Sequence, residues 1–449
     1  MKPNNKPPKN PFTAVALCAT GAEKALSNEL RKLDLPITDT GFGRVRFSAD
    51  LPGLYSSLMG LRTADRVLLE LGFFQSMDFD SLFEGTWDVP WEQLIPRGMG
   101  ITVVKVRSNR SQLRAETSIQ SVVHKAVAER LCSRYKINRL PEGADASAQA
   151  EIRVYVEKDM VSLLLDLSGE PLFKRGYRTE GGVAPLRETT AAALLLLSGW
   201  KRKYPLYDPF CGSGTILIEA AMYAWDMAPG LGRSFAIGNL LIADRQTEET
   251  VREGFRGRVN FDNIIRIAGS DEDGRSVSIA ESNCQRARDI ALGRAPLRGI
   301  RPADTYSEPR RGEASRTADF GSADSVAAGS LVKSGKSLPV LRQLALDNVC
   351  SPFDKEPQTT AAGTGKGSSP QPEGFIVTNP PYGRRLGETG DAERIYGTMK
   401  ILRDKFPGWK FSVISDHPGF ESFFGSKADS CREISNGAVQ SYYYQYERL

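Results

Sequence analysis

One short motif combines the residue types that can present an amino group of a nucleobase for alkylation. The motif is Asn379-Pro380-Pro381-Tyr382, and it directly follows the apolar segment Phe375–Thr378, which is typical of a strand. An exocyclic amino group is a poor nucleophile because its lone pair is delocalised into the ring. The Asn379 side-chain oxygen and a backbone carbonyl of the proline pair can accept both N–H bonds. They would hold the nitrogen in line with a methyl donor.

The other residues of this motif suit the same chemistry. The two prolines fix the loop and push Asn379 into an extended conformation. Tyr382 can stack on a target base, a contact worth about 1–3 kcal/mol. The motif by itself leaves a plain proline turn after a strand as the alternative.

A second motif, from Asp208 to Thr215, has the composition of a turn that approaches a ligand closely; we call it the glycine turn. It lies between an apolar segment and a helical pattern. Its glycines admit a ligand that a Cβ would block, and the helix N-terminus favours negative groups such as a cofactor's methionine carboxylate. The dinucleotide fingerprint is not met, because residue 217 is Leu. A turn without a ligand is the alternative. The predicted cofactor-binding residues are Asp208, Phe210, Gly212, Gly214 and Thr215.

Two acidic residues further along the chain are candidates for holding the rest of such a cofactor. Asp271 follows the second predicted strand of the sheet, where an acid can bind the two hydroxyls of a ribose. Asp273 suits a helix N-cap instead, and a cap is also the alternative for Asp271. Asp347 ends a short apolar run and can accept a hydrogen bond from an adenine amino group. A solvated loop acid is the alternative for Asp347.

Positive charge is concentrated in one part of the chain. The whole chain has a formal net charge of +5, but ten Lys and Arg residues and only two Glu residues fall between Arg97 and Arg139. That stretch therefore carries a net charge of +8. Clustered cations suit a phosphate backbone, whereas a solvated helix face is the alternative. The residues predicted to bind RNA are Arg107, Arg110, Arg114 and Lys125.

The elements that position these residues fall into three units. The first, 12–74, alternates strand, helix, strand, helix and strand, which predicts a ferredoxin-like α+β domain. The second, 75–170, contains a strand, a helix and a hairpin, and is followed by a linker over 171–187. In the third, 188–449, strands followed by helices predict a doubly wound, mostly parallel sheet. Asn436-Gly437 predicts a hairpin at its edge.

Composition limits the class of protein further. Hydrophobic residues make up 40% and charged residues 25%, as in ordinary folded proteins. No apolar run approaches the roughly 18 residues of a membrane span, and the Lys- and Pro-rich tail over 1–11 lacks the core of a signal peptide. We expect a cytoplasmic protein without a metal site, because the closest cysteines, Cys284 and Cys350, are 66 residues apart. The stretches 300–337 and 355–373 are predicted to be flexible insertions.

These motifs resemble those of a known enzyme family. The glycine turn, Gly269-Ser270-Asp271 and Asn379-Pro380-Pro381-Tyr382-Gly383 resemble THUMP-domain RNA guanine-N2 methyltransferases. The N2-guanine half of the ribosomal RNA large subunit methyltransferase K/L family is most similar, over nearly the whole chain except the insertions. The resemblance implies a Rossmann-like class I methyltransferase domain, preceded by ferredoxin-like and THUMP domains.

The resemblance also implies a cofactor, a substrate and residue roles. S-adenosylmethionine would be the cofactor, and the N2 amino group of a guanine in 23S ribosomal RNA or a large-subunit precursor would be methylated. A tRNA guanine-N2 methyltransferase, a DNA adenine-N6 methyltransferase and a non-catalytic RNA-binding assembly factor are the alternatives. The DNA enzyme would not need an N-terminal RNA-binding unit. The resemblance assigns Asp208, Gly212 and Gly214 to the methionine end, Asp271 to the ribose, Asp347 to the adenine, and Asn379, Pro380, Pro381 and Tyr382 to the guanine.

Overall fold

Two seven-stranded sheets organise the part of the chain that the computed structural model describes. The described residues are 12–143, 148–178, 186–263, 265–298, 338–349, 353, 373–381, 389–437 and 439–449. The first sheet contains β1 (Phe12–Cys18), β2 (Ile37–Gly41), β3 (Arg44–Ala49), β4 (Ala64–Gln75), β5 (Gly100–Asn109), β6 (Gln149–Glu157) and β7 (Met160–Asp166). Its helices are α1 (Glu23–Lys32), α2 (Leu51–Gly60), α3 (Phe79–Asp88) and α4 (Glu116–Tyr135).

The first sheet runs without a break through both predicted N-terminal units. Its strand order is β2-β3-β1-β4-β7-β6-β5, and β4 pairs antiparallel with β7. The long strand β4 therefore joins the ferredoxin-like unit to the unit predicted over 75–170. Lys158 and Asp159 connect β6 to β7 with positive φ angles of 52° and 62°, as a tight hairpin turn requires.

The second sheet has the doubly wound arrangement expected from the sequence. Its order is β10-β9-β8-β11-β12-β14-β13; the first five strands are parallel, and β14 is antiparallel to both neighbours. Its strands are β8 (Leu206–Asp208), β9 (Ile267–Asp271), β10 (Val340–Gln343), β11 (Phe375–Thr378), β12 (Lys410–Ser415), β13 (Ser430–Asn436) and β14 (Val439–Tyr446). The helices are α5 (Glu188–Leu197), α6 (Thr215–Ala224), α7 (Arg245–Arg256), α8 (Gly274–Ala291), α9 (Thr389–Thr398), α10 (Ile401–Lys405) and α11 (Phe420–Phe424).

The topology of this sheet fixes where a ligand can bind. Along the sheet, β8 lies between β9 and β11, so the winding direction reverses between β8 and β11. In open α/β sheets the crevice at such a switch point, outside the carboxyl ends of the strands, is the ligand site. The strands β8 and β11 end at Asp208 and Thr378, directly before the two motifs singled out from the sequence.

Helix α6 leads from that crevice back to the first sheet. Nine of its ten residues are buried, because α6 packs against α5, α8 and the second sheet. Eight of the nine are apolar or small polar residues; Glu219 is the exception. A helix that is apolar on nearly all sides is stable only inside a core. Burial of Glu219 in this helix therefore requires partners.

Those partners come from the linker and from the first sheet's unit. Arg175 Nε lies 3.4 Å from Glu219 Oε1, and the Tyr177 hydroxyl donates to the same oxygen at 3.2 Å. Arg175 also donates to the carbonyl of Arg62, in the loop between α2 and β4. Arg62 in turn donates to the carbonyls of Met222 and Met227 around the end of α6. One buried network thus joins the two sheets.

Three sequence-based expectations concern segments outside this description. The tail over 1–11, the insertion over 300–337 and the insertion over 355–373 apart from Glu373 are among the residues that are not described. Within the described ranges, no helix is both long enough and apolar enough to cross a membrane.

The buried ion pair yields a stability prediction. Arg175→Ala leaves the Glu219 carboxylate buried without its cation, which we expect to lower the free energy of unfolding by about 3–5 kcal/mol. Lys174→Ala, one residue earlier, is the matched control; its side chain is 55% exposed and its ion pair with Glu170 is 3.4 Å long. The control should stay within about 0.5 kcal/mol of the wild type. Urea denaturation measures both, and equal losses in the two variants would contradict the proposed importance of the pair.

Candidate active site

The glycine turn adopts the conformation that its sequence predicts. Gly212 and Gly214 have positive φ angles of 50° and 82°, in the left-handed region that favours glycine. A Cβ on Gly214 would lie 2.9 Å from the Cβ of Ala280, so α8 packs directly on the turn. At Gly212 no described atom lies within 4 Å of such a Cβ, which leaves the backbone open to an approaching ligand. Thr215 then begins α6.

Asp208 ties the glycine turn to strand β11. Its carboxyl group is almost completely buried and accepts a hydrogen bond from the Thr378 hydroxyl at 2.6 Å and one from the Phe210 N–H at 3.1 Å, both at Oδ1. Burial raises the pKa of Asp208 to about 7, and the nearby carboxylate of Asp271 acts in the same direction. Asp208 therefore holds the two motif-bearing loops in register.

Asp271 lies against the glycine turn, although 59 residues separate it from Gly212. Its Oδ2 accepts the Gly212 N–H at 2.9 Å, and its Oδ1 accepts the Asp273 N–H at 3.1 Å. Asp273 caps α8 by accepting the N–H groups of Arg275 and Ser276. The two acids thus divide the roles of turn support and helix capping. Each Asp271 oxygen retains a lone pair for a further donor.

Asn379 directly follows Thr378, the last residue of β11, which donates to Asp208. Its side-chain oxygen is buried and has no hydrogen-bond partner among the residues that the structure describes. Buried acceptors usually have a donor, so this oxygen is available to accept a hydrogen bond from a ligand or a water molecule. Pro380 is buried and Pro381 half-buried, whereas Tyr382 lies outside the described residues.

Asp347 occupies a less constrained position than the other candidates. It is exposed in the short 3₁₀ helix Leu346–Asn348, which follows β10. The preceding Leu344 donates its N–H to the carbonyl of Asp271 at 2.9 Å, so the segment runs along the same edge of the sheet. Asp347 thus lies three residues after a backbone contact with Asp271, and its exposed side chain forms no hydrogen bond or ion pair with the other described candidates.

Two further residues at this site, Arg178 and Glu188, were not assigned an individual role from the sequence. Arg178 donates to the hydroxyl of Thr215 at 2.7 Å and to the carbonyl of Leu186 at 3.1 Å. Its Nε lies 3.2 Å from Glu188, the first residue of α5. Arg178 therefore holds the N-termini of α5 and α6 together. No local spacing signals this pair, because Arg178 and Glu188 are separated by a Gly- and Pro-containing stretch.

The four residues predicted to bind RNA differ in whether they form an ion pair with a carboxylate. Arg107 is 2.9 Å from Glu116, and Lys125 is 3.8 Å from Glu129. Arg110 and Arg114 have no ion pair with any described residue, and both line an open cleft of about 500 Å³ at the Lys158–Asp159 turn.

Other cations of the +8 stretch serve the fold. Arg130 is buried and pairs with Glu92 at 2.8 Å, and Arg134 lies 3.4 Å from the same carboxylate. Glu92 lies outside the counted window, so the local charge is lower than the sequence count indicates.

The described part of the chain contains no group of three or more His, Cys, Asp or Glu residues placed to hold a metal ion. Cys211, inside the glycine turn, is buried, and burial together with Asp208 and Asp271 raises the pKa of its thiol. The thiol is therefore held in its neutral form.

The chain is similar to known proteins over most of its length. Residues 175–291 and 367–445 match the family described as RMKL-like, methyltransferase domain, and residues 13–68 match the RlmL ferredoxin-like domain. YpsC of Bacillus subtilis, described as a candidate RNA methyltransferase, is 29% identical over 436 residues, which are 97% of this chain and 96% of YpsC. Ribosomal RNA large subunit methyltransferase K/L of Syntrophotalea carbinolica is 29% identical over 439 residues, 96% of this chain and 53% of that protein. The chain thus spans about half the length of the K/L relative.

Solved structures extend the comparison to the whole fold. SMU.472, described as a candidate methyltransferase and crystallised with SAH, has a TM-score of 0.75 and 29% identity, with 98% of this chain and 99% of that chain covered. A Listeria monocytogenes protein, described from prediction as an N6-adenine-specific DNA methylase, has a TM-score of 0.74 and 30% identity, with 97% and 96% covered. These matches confirm the resemblance read from the motifs: the chain belongs to the RMKL-like methyltransferase family.

Proposed function

We propose that the protein transfers a methyl group from S-adenosylmethionine to the N2 amino group of a guanine in 23S ribosomal RNA. The observation that carries the proposal is the buried, unpartnered Asn379 Oδ1 at the switch point of the sheet. Asn379 directly follows Thr378, the last residue of β11, whose hydroxyl donates to Asp208 at the start of the glycine turn. The K/L relatives support a ribosomal RNA substrate and, with it, action in the cytoplasm.

The residues at the switch point fit the proposed cofactor. The methionine carboxylate would face the N-terminus of α6, where backbone N–H groups and the helix dipole favour an anion. Gly212 leaves the space above the turn open, and Asp271 lies beside it with lone pairs available to a ribose. Asp347 would meet the adenine. When bound, S-adenosylmethionine supplies an electrophilic methyl group.

Asn379 would act on the guanine by accepting a hydrogen bond from its N2 amino group. A guanine N2 amino group has two N–H bonds, and the second would meet a carbonyl of the Pro380–Pro381 pair. Acceptors on both N–H bonds counteract delocalisation of the lone pair into the ring. They also stabilise the positive charge that develops on nitrogen as the bond to carbon forms. Because the Asn379 oxygen is already desolvated, this interaction is stronger than it would be in water.

The RNA itself would bind across the first sheet's unit. Asp159 lines the cleft but already accepts hydrogen bonds from the Ser111 hydroxyl at 2.7 Å and the Gln112 N–H at 2.8 Å. Arg110 and Arg114, which form no ion pair with a described carboxylate, offer two cations there. Phosphate oxygens are the usual partners of such groups. Arg107 and Lys125 would contribute more weakly, because Glu116 and Glu129 offset their charges.

One alternative is favoured by a specific observation. The adenine N6 amino group offers the same pair of N–H bonds as guanine N2, and the similar Listeria protein is described as an adenine-specific DNA methylase. The long N-terminal sheet and its cationic cleft favour RNA. If the reaction is guanine-N2 methylation, the alternative substrate is a tRNA. If the protein has no catalytic activity, the alternative is an RNA-binding assembly factor.

Cofactor binding can be tested at Asp271. Asp271→Ala removes the acceptor proposed for the ribose and the acceptor that supports the Gly212 N–H, so we expect the Kd for S-adenosylmethionine to rise about 10- to 100-fold. Isothermal titration calorimetry measures the change. Asp262→Ala, an exposed acid before β9, is the control and should bind as the wild type does. Unchanged affinity in Asp271→Ala would remove Asp271 from the cofactor site.

Substrate identity can be tested by nucleoside mass spectrometry of rRNA and tRNA. A deletion strain should lose one N2-methylguanosine from 23S rRNA, and wild-type protein should restore it. Asn379→Ala should bind S-adenosylmethionine normally yet restore less than about one hundredth of the methylation rate, because positioning the amino group is its proposed role. Loss of the modification from tRNA alone, or of N6-methyladenine from DNA, would refute the 23S assignment. Full activity of Asn379→Ala would refute the proposed chemistry.

RNA binding can be tested by its dependence on salt. The double variant Arg110→Gln and Arg114→Gln should bind an rRNA fragment more weakly, and the slope of log affinity against log salt should fall by about 1–2. Lys24→Gln with Arg31→Gln, two exposed cations on α1, removes the same charge and is the control. Equal effects of the two double variants would show that only net charge matters and that the cleft does not bind RNA.

A further inference from the structure

A second cleft lies between the two sheets' units, at the C-terminal end of α6, whereas the glycine turn lies at the N-terminal end of that helix. Its volume is about 170 Å³, and α1, α5, α6, α7 and the loop after α2 all contribute to its walls. Four cations line it, namely Lys32, Arg62, Arg202 and Arg258. We call it the interdomain cleft.

Two of these guanidinium groups, those of Arg62 and Arg202, lie near the Tyr223 ring, and each has one buried nitrogen that makes no hydrogen bond to a residue that the structure describes. The guanidinium carbons of Arg62 and Arg202 lie 5.4 Å and 4.5 Å from the ring centre of Tyr223. Stacking fixes the planes of both groups. Arg62 Nη1 and Arg202 Nε are buried and lack a hydrogen-bond partner among the described residues. These two donors can be satisfied by an acceptor that enters the cleft.

The two acidic residues of the cleft do not reach these two donors. Glu29 uses Oε1 for the Arg62 N–H at 2.9 Å and Oε2 for the N–H and hydroxyl of Thr63 at 3.0 Å and 2.6 Å. Asp226 is paired with Arg202 Nη2 at 2.8 Å. These two carboxylates face four cations, so the cleft has a net positive charge. An anion satisfies both the donors and the charge, whereas water satisfies only the donors.

We propose that the interdomain cleft binds a phosphate group. The guanidinium fork matches the oxygen atoms of a tetrahedral oxyanion, and charge-assisted hydrogen bonds of this kind are the strong ones. The volume admits one: a water molecule occupies about 30 Å³ in the liquid, so a phosphate and an accompanying water can fit. The phosphate comes either from solution, as the free ion, or from an RNA backbone. The inference goes beyond the proposed methylation and does not depend on it.

Thermal unfolding of the full chain in inorganic phosphate tests the proposal. At constant ionic strength, with chloride as the balancing anion, the Tm of the wild type should rise with phosphate concentration, and the linkage relation gives the Kd. The double variant Arg202→Gln and Arg258→Gln, which alters partly exposed side chains, should bind phosphate at least about tenfold more weakly. Arg245→Gln with Arg256→Gln, two exposed cations of α7, removes the same charge outside the cleft and is the control.

Competition distinguishes the two sources of phosphate. If an RNA backbone enters the cleft, oligouridylate binding should weaken in the double variant, and phosphate should compete with it. If the free ion is the ligand, phosphate binding should be lost in the double variant while oligouridylate binding is unchanged. Either result supports a phosphate site.

Two results would overturn the proposal. One is an equal Tm in phosphate and chloride at the same ionic strength. The other is a wild-type phosphate Kd in the double variant, or in Arg258→Gln alone should the double variant fail to fold.

Discussion

The buried carboxylate of Glu219 is the constraint on which the arrangement of the two sheets depends. An ionised group in a helix that is otherwise almost wholly buried is very costly unless it is paired and hydrogen-bonded. Arg175 and Tyr177, which supply the pairing, both lie in the segment that connects the first sheet to the second. If the connecting segment left this position, the Glu219 carboxylate of α6 would lose both its cation and its hydrogen-bond donor. The linker predicted from the sequence is thus a fixed part of the core at this end.

The same network connects the two ends of α6 to different parts of the protein. At its N-terminus, Arg178 and the glycine turn meet the proposed cofactor site. Near its C-terminus, the carbonyls of Met222 and Met227 accept hydrogen bonds from Arg62, which belongs to the first sheet's unit. A helix rises only about 1.5 Å per residue, so these ten residues span about 15 Å. The unit proposed to bind RNA therefore contacts, through Arg62, the helix whose N-terminus would face the cofactor.

Local sequence patterns predicted the parts of this structure that depend on local physics. Strand β11, the start of α6, the hairpin of β13 and β14, and the cap at Asp273 all follow from hydrophobic runs, glycines and capping residues. Helix α7 was not predicted, because Val251 and Phe255 are its only apolar residues and two positions are too few to define a stripe.

Long-range pairings could not be predicted in the same way. The β4–β7 pairing that makes the first sheet continuous joins Leu68 to Asp166, and no local pattern specifies it. The RNA-binding prediction was limited in the same way, because a charge count along the sequence misses ion-pair partners that lie outside the counted window. A window from Arg97 to Arg139 omits Glu92, which neutralises Arg130 from outside the window. At the candidate site, sequence order placed the two motifs on strands of one sheet, but only the parallel β8–β11 contact explains why they are adjacent.

The unpartnered oxygen of Asn379 also bears on how the site would choose its substrate. Leaving a buried acceptor unsatisfied costs about 1–3 kcal/mol, and the fold carries that cost until a donor arrives. A base with an amino group at the right position removes the cost, whereas a base without one leaves the oxygen buried and unpaired. Sites built in this way reject analogues that lack the donor far more strongly than an apolar pocket rejects a missing methyl group. The feature that would activate the amino group would therefore also select for it.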